Sequence, residues 1–155
     1  MFRLATIFAL IFTSSLVSLA QGSTDFTGAW RFEPAKGKNI GMMAQMQMTT
    51  VIEQSPEELT QKVDATMMGQ NQKQELRFDL SGKPVVNETP MGEKSTTVTK
   101  WEGAKLVTTW TTPGAVAGST KVSVETLYLS ADGKTLYVET TCVNKPPVVM
   151  VYSRK

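Results

Sequence analysis

Short runs of alternating apolar and polar residues recur along the chain. In the clearest run, residues 72–80, Leu76, Phe78 and Leu80 share one face, and charged residues occupy the positions between them. This period of two is typical of a β-strand with one buried face. The runs are rich in threonine, valine and aromatic residues, and no stretch after the leader described below has a convincing helical period. The pattern predicts an all-β fold of about 8–10 strands.

Turn residues separate the runs at short intervals. Asp132-Gly133, for example, stands between the runs 120–129 and 135–143, and an Asp-Gly pair favours a tight hairpin because glycine accepts a positive φ. Short loops join antiparallel neighbours, and a sheet with one apolar face can hide that face and its edges by closing. We therefore expect an antiparallel up-and-down β-barrel, with a two-sheet sandwich as the structural alternative.

The first twenty residues have a different character. Arg3 gives a positive start, residues 4–12 are apolar apart from Thr6, and Ser18 and Ala20 provide the small residues of a cleavage site. This order is typical of a secretory signal peptide, and the apolar run is shorter than the roughly 20 residues that a membrane span needs. We expect cleavage near Ala20, which leaves one domain, residues 21–155, secreted or in a periplasm and without a membrane span.

Composition removes several classes of function. The 16 basic and 14 acidic residues are scattered, so charge gives no reason to expect a nucleic-acid partner. The chain has no histidine and a single cysteine, Cys142. Catalytic Ser-His-Asp or Cys-His arrangements and zinc sites built on such ligands are therefore excluded. We expect a binding protein that has no cofactor and is not an enzyme.

The two ends of the barrel sequence resemble the calycin group, which includes lipocalins and fatty-acid-binding proteins. The resemblance rests on Gly28-Ala29-Trp30 in the first run and Arg154 in the last. It implies that Trp30 plugs one end of the barrel and that Arg154 lies over it, so that Gly28, Trp30 and Arg154 form a structural latch. Phe26-Thr27-Gly28-Ala29-Trp30 and the later run 129–136 also resemble the lipocalin-like domains of exported bacterial proteins.

The chain departs from fatty-acid-binding proteins at two places. Residues 33–44 stand where that family has a two-helix lid, and they are not a helical pair in sequence. The Arg-x-Tyr carboxylate clamp of the family is not matched, because the order here is Tyr152-Ser153-Arg154. The resemblance therefore implies a barrel without implying a fatty-acid carboxylate site.

Methionine is the unusual component of the composition. Met46 and Met48 alternate with polar residues on one run, and Val63, Ala65 and Met67 share a face of the next. If both faces point inward, the flexible thioethers of the methionines on them line a cavity for an apolar ligand. The predicted partner is thus a small apolar molecule, and the candidate binding residues are Met46, Met48, Met67, Leu76, Phe78 and Trp110.

Two other functions remain open from the sequence. An interior packed solid by its own side chains would make the protein a structural or interaction module. The soft thioethers of Met43, Met46 and Met48 suit Cu(I) as an alternative ligand. Asn87-Glu88-Thr89 also fits an N-glycosylation acceptor, which matters only in a eukaryotic secretory pathway.

Overall fold

Ten antiparallel strands form one sheet in the computed structural model, which describes residues 24–89 and 92–155. The strands are β1 Gly28–Phe32, β2 Gln47–Gln54, β3 Glu58–Met67, β4 Gln70–Asp79, β5 Val85–Glu88, β6 Lys94–Glu102, β7 Lys105–Pro113, β8 Thr120–Leu129, β9 Thr135–Cys142 and β10 Val148–Arg154. The predicted leader, residues 1–20, lies outside the described residues. Within those residues, no helix is long and apolar enough to cross a bilayer.

The sheet curls into a nearly closed up-and-down barrel. Its strand order is β4-β3-β2-β1-β10-β9-β8-β7-β6-β5, so the first strand pairs with the last. Among residues 24–89 and 92–155, β4 and β5 are the only neighbouring strands without a backbone ladder. The predicted all-β barrel of about ten strands is confirmed, and the sandwich alternative is wrong. Each predicted run becomes a strand, with bounds that shift by no more than two residues.

Alternation along each strand decides which side chains reach the interior. On β4, Leu76 and Phe78 are buried, whereas Glu75 and Arg77 point outward and form an ion pair of 2.9 Å. Burying a leucine or phenylalanine side chain contributes about 1.5–3 kcal/mol, and the exposed ion pair contributes far less. The apolar inner face of the strands therefore supplies most of the energy that closes the barrel.

One end of the barrel, here called the closed end, is filled by aromatic side chains. Trp30 is completely buried, and its Nε1 donates a 2.9 Å hydrogen bond to the carbonyl oxygen of Phe26. Phe26 stacks on Trp101 with 6.0 Å between the ring centroids. Arg154 pairs with Trp30 across β1 and β10, and its guanidinium carbon lies 4.4 Å from the centroid of the indole.

Glycine at position 28 permits this approach of the arginine. Gly28 has a φ of +143°, and a Cβ added there would lie 2.7 Å from Nη1 of Arg154. That same nitrogen donates a 2.8 Å hydrogen bond to the carbonyl oxygen of Thr27. Any larger residue at position 28 would therefore push the guanidinium off both the indole and the carbonyl.

The opposite end of the barrel is the mouth, where the chain between β1 and β2 crosses. This segment forms two 3₁₀ helices, Pro34–Lys36 and Gly41–Gln45, in the place of the two-helix lid of fatty-acid-binding proteins. Backbone hydrogen bonds between Lys38 and Val149 tie the segment to β10. The short crossing covers only part of the mouth.

Asn87 bridges β4 and β5, the two strands that lack a backbone ladder. Its side-chain oxygen accepts from the backbone nitrogen of Arg77 at 2.9 Å, and its Nδ2 donates to the carbonyl oxygen of Arg77 at 2.7 Å. Nδ2 also donates to Oγ1 of Thr97 at 3.0 Å. A glycan would replace one of the two Nδ2 hydrogens, break at least one of these last two hydrogen bonds and have to fit beside a side chain that is 5% exposed, so the folded barrel does not accommodate the glycosylation suggested by the sequence.

Candidate functional site

A cavity of about 800 Å³ occupies the half of the barrel nearer the mouth and opens there. Strands β2, β3, β4, β9 and β10 supply most of its apolar wall through inward methionines and aliphatic residues. The apolar lining residues are Met43, Met46, Met48, Val63, Ala65, Leu76, Leu136, Val138 and Met150. A volume of this size is that of a typical small-molecule site.

Four of the six candidate binding residues line this cavity. They are Met46, Met48, Leu76 and Trp110. Met67 faces the expected side of β3 but stands at its last residue, next to the turn, so that it extends beyond the cavity and is 36% exposed. Phe78 faces inward below the cavity, where its ring packs against that of Trp110 with 5.8 Å between centroids. Both side chains lie on the predicted face of their strands. Neither lines the cavity, because Met67 lies too close to the mouth and Phe78 too close to the closed end.

The three methionines considered for copper lie on the same cavity. Met46 and Met48 are on the chain that enters β2 and on β2 itself, and Met43 lies on the second 3₁₀ helix. Met150 of β10 joins them, a residue that the sequence analysis did not single out. The mouth side of the cavity is therefore lined by four thioethers.

Tyr152 contributes a phenol group to the wall of the cavity. It is 4% exposed, and its hydroxyl lies 3.8 Å from the sulfur of Met48 and 3.7 Å from the sulfur of Met150. Burial raises the pKa of Tyr152 well above its usual value, and the carboxylate of Glu125 raises it further. The phenol therefore stays protonated at any physiological pH and can only exchange hydrogen bonds with a ligand.

Glu125 is a charged cavity residue that the sequence analysis missed. It lies on β8 and lines the cavity. Burial alone raises the pKa of its carboxyl to about 7, and no hydrogen bond or ion pair joins that carboxyl to another residue in the described part of the chain. The sequence does contain a signal for it, because Glu125 shares its face of the strand with Leu127 and Leu129.

Trp110 stands diagonally across from Glu125 on the neighbouring strand. The register of β7 and β8 places Thr108 opposite Glu125 and Trp110 opposite Ser123, so the two cavity residues share the inner face. Diagonal neighbours of this kind lie about 7–8 Å apart at their Cα atoms. The buried indole N–H of Trp110 has no hydrogen-bond partner among residues 24–89 and 92–155.

The remaining interior, towards β5, β6 and β7, is packed and its polar groups are paired. Thr99 and Thr108 share a hydrogen bond of 2.9 Å between their hydroxyls, and Ser95 and Thr112 share one of 2.7 Å. These threonine side chains therefore fill the interior, and their hydroxyls hydrogen-bond to one another or to serine. Glu125 and Trp110 stand out because they lie beside this paired region without partners of their own.

Solved structures with this fold include small lipid-carrying barrels. The chain is similar to fatty-acid-binding protein 1 of Echinococcus granulosus, with a TM-score of 0.65, 15% identity, and coverage of 83% of this chain and 96% of that one. The Schistosoma mansoni fatty-acid-binding protein in complex with arachidonic acid gives a TM-score of 0.60, 17% identity and coverage of 84% and 96%. The wild-type fluorescent protein UnaG gives 0.67, 18%, 84% and 97%.

These similarities establish the calycin-type β-barrel fold over nearly all of the described chain. No family model matches the sequence, and neither does any curated protein.

Proposed function

We propose that the protein binds a small, mostly apolar molecule inside its barrel. The observation that carries this proposal is the cavity of about 800 Å³ with its methionine and aliphatic lining. A barrel interior packed solid, the structural alternative, would have no such volume. The similar solved structures include barrels described as fatty-acid-binding proteins, which supports binding rather than catalysis as the role of this fold.

The proposal includes export. The leader-like residues 1–20 and the resemblance to lipocalin-like domains of exported bacterial proteins support a mature protein that starts near residue 21 and works outside the cytoplasm. Expression of the full-length chain in a bacterium, followed by fractionation and mass measurement, tests this part. A periplasmic species that has lost about 20 residues is expected, whereas an uncleaved cytoplasmic chain would contradict export.

Native mass spectrometry of gently purified mature protein tests binding. We expect a non-covalent adduct of a few hundred daltons that organic extraction removes. The extracted protein should then bind the neutral dye Nile red with one site per barrel. Protein that carries no adduct and binds no dye would contradict the proposal.

A pair of variants shows whether the dye occupies the cavity. Ala65→Trp places an indole inside the cavity from β3, and Val51→Trp places the same side chain on the outer face of β2, where Val51 is 41% exposed. Ala65→Trp should weaken Nile red binding at least tenfold, a change of about 1.4 kcal/mol, and Val51→Trp should leave it unchanged. Equal affinities in the two variants would place the dye elsewhere on the protein.

Binding of Cu(I) is the second candidate, because Met43, Met46 and Met48 line the same cavity. Thioethers are soft ligands that suit Cu(I) and bind harder divalent metals poorly. Titration of Cu(I) into the wild type and into the Met46→Leu/Met48→Leu variant separates the two candidates. A copper site requires much weaker Cu(I) binding in the variant, whereas the apolar site requires Nile red binding that survives these volume-conserving changes.

A further inference from the structure

Four charged residues line the cavity within the described part of the chain: Lys73, Glu75, Glu88 and Glu125. Three of them lie on the outer face at the gap between β4 and β5, where Lys73 is 3.5 Å from the carboxylate of Asp64, Glu75 pairs with Arg77, and Glu88 is exposed. Only Glu125 stands on the inner face. The charge that the described cavity wall offers a ligand is therefore that of Glu125.

Glu125 is half-buried in the cavity wall. Its partners across the sheet are Thr108 of β7 and Thr140 of β9, neither of which carries a charge. A carboxylate that has lost part of its water without gaining a cation or a hydrogen-bond donor is destabilised. A ligand that brings a positively charged donor to this point relieves that cost, and a ligand that brings a second carboxylate increases it.

Two aromatic side chains line the cavity together with Glu125. Trp110 lies diagonally from Glu125 across β7 and β8, and Tyr152 lines the cavity from β10. An ammonium group beside an aromatic face is stabilised by the electron-rich ring, and more strongly when it is desolvated. A carboxylate and two electron-rich rings in an apolar wall are the groups that hold an organic ammonium ion.

On the basis of the proposed function, we infer that the cavity selects long-chain amines, with the ammonium group at Glu125 between Trp110 and Tyr152 and the hydrocarbon chain along the methionines. The ligand class that the neighbouring structures suggest, a fatty acid, carries the wrong charge for this wall. A neutral alcohol of the same chain length fits the apolar part of the cavity and gains nothing from the carboxylate. The expected order of affinity is amine, then alcohol, then fatty acid.

Competition against Nile red at pH 8 tests this order. Three ligands with the same twelve-carbon chain, dodecylamine, dodecanol and dodecanoic acid, are titrated into the extracted wild-type protein loaded with the dye. Dodecylamine should displace Nile red at a concentration about tenfold or more below that of dodecanoic acid, since the carboxylates of dodecanoic acid and Glu125 repel each other when they are placed together in the cavity. Dodecanol should lie between them.

Two carboxylate variants assign the preference to the residue. Glu125→Gln keeps the shape of the side chain and removes its charge, so the advantage of dodecylamine over dodecanol should disappear. Glu139→Gln removes a carboxylate from the opposite face of the sheet on the neighbouring strand, and it should keep the wild-type order.

Each result bears on one proposal or the other. Dodecanoic acid binding as tightly as dodecylamine, or an amine preference that persists in Glu125→Gln, would overturn the inference and leave the proposed function standing. A wild-type protein that binds neither Nile red nor any twelve-carbon ligand would overturn the proposed function itself.

Discussion

Trp30 and Trp110 both face the interior of the barrel, at the closed end and in the cavity wall respectively. Trp30 is completely buried, donates its N–H to the carbonyl of Phe26 and lies under the guanidinium of Arg154. Trp110 is partly buried, and its N–H has no partner in the described chain. At the closed end the ring, its N–H and its face beneath Arg154 all make contacts within the fold, whereas the cavity indole packs on Phe78 and leaves its N–H unpaired in the described chain.

The loops show the same difference between the two ends. Four loop or helix residues at the mouth have strongly exposed apolar side chains: Met42, Met68, Val116 and Val143, each more than 70% exposed. In the described residues, no large apolar side chain is exposed in the loops of the closed end. In the described chain, fully buried aromatic packing lies at the closed end, and the exposed apolar loop residues lie at the mouth.

The same substitution in both tryptophans should separate these roles most strongly. Trp30→Phe removes the hydrogen bond to Phe26, leaves a cavity beneath Arg154 and should cost about 2–4 kcal/mol of unfolding free energy. Trp110→Phe removes an unpartnered donor and keeps a ring in the wall, so its cost should be below about 1 kcal/mol. Urea unfolding followed by far-ultraviolet circular dichroism measures both. Equal losses would mean that the two ends contribute alike.

Between the two ends, Asn87 closes the gap in the sheet and should be the next most costly position. Asn87→Ala leaves the backbone N–H and C=O of Arg77 without their described side-chain partner and should destabilise the barrel by about 2–3 kcal/mol. Val86→Ala, at a neighbouring position that is 65% exposed, is the matched control and should cost less than about 0.5 kcal/mol. Equal unfolding midpoints for these two variants would show that the gap needs no bridge.

The ease of predicting the two ends from sequence differs for a physical reason. The closed end was predicted from the calycin resemblance carried by Gly28, Trp30 and Arg154, and the alternation of β4 predicted which of its residues face inward. Whether an inward residue lines the cavity depends on its distance from the mouth along the barrel axis. That distance is set by the register between strands, which the sequence of one strand does not reveal. For this reason Met67 and Phe78 were predicted to line the cavity, and the structure places them on the predicted faces but beyond its two ends.

The polar part of the site was harder to predict still. Glu125 reads as one acidic residue in a threonine- and valine-rich strand until the strand's facing is known. Asn87 reads as part of a glycosylation motif until β4 and β5 are found to lack a ladder. Both assignments depend on neighbours that are distant along the chain, and no local pattern contains that information.

Glu125 should make the stability of the cavity half depend on pH. Its pKa is about 7 in the folded protein, against 4.5 for an exposed glutamate, because burial favours the protonated form. The folded state therefore binds more protons than the unfolded state between these values, and stability is lost as the pH rises through them. Tyr152 faces Glu125 from β10 and remains protonated over this range, since burial raises its pKa.

Glu125→Gln tests this coupling. The variant should match the wild type near pH 4 and exceed it by about 1–3 kcal/mol at pH 8, because its amide carries no charge to desolvate. Glu139→Gln, on the outer face, should show no such pH-dependent gain. Urea unfolding at a series of pH values gives the comparison, and a constant difference between wild type and Glu125→Gln would show that the carboxyl is well solvated.

The smallest expected effect concerns the fit of the closed end. Gly28→Ala introduces two costs: a residue with a side chain at a φ of +143°, and a Cβ 2.7 Å from Nη1 of Arg154. Arg154→Ala removes the second cost and leaves the first. In a double-mutant cycle, Gly28→Ala should therefore destabilise the wild type by about 1 kcal/mol more than it destabilises Arg154→Ala. Additive losses would mean that the glycine serves only the backbone conformation and that its position beneath the guanidinium contributes nothing to the closure of the barrel.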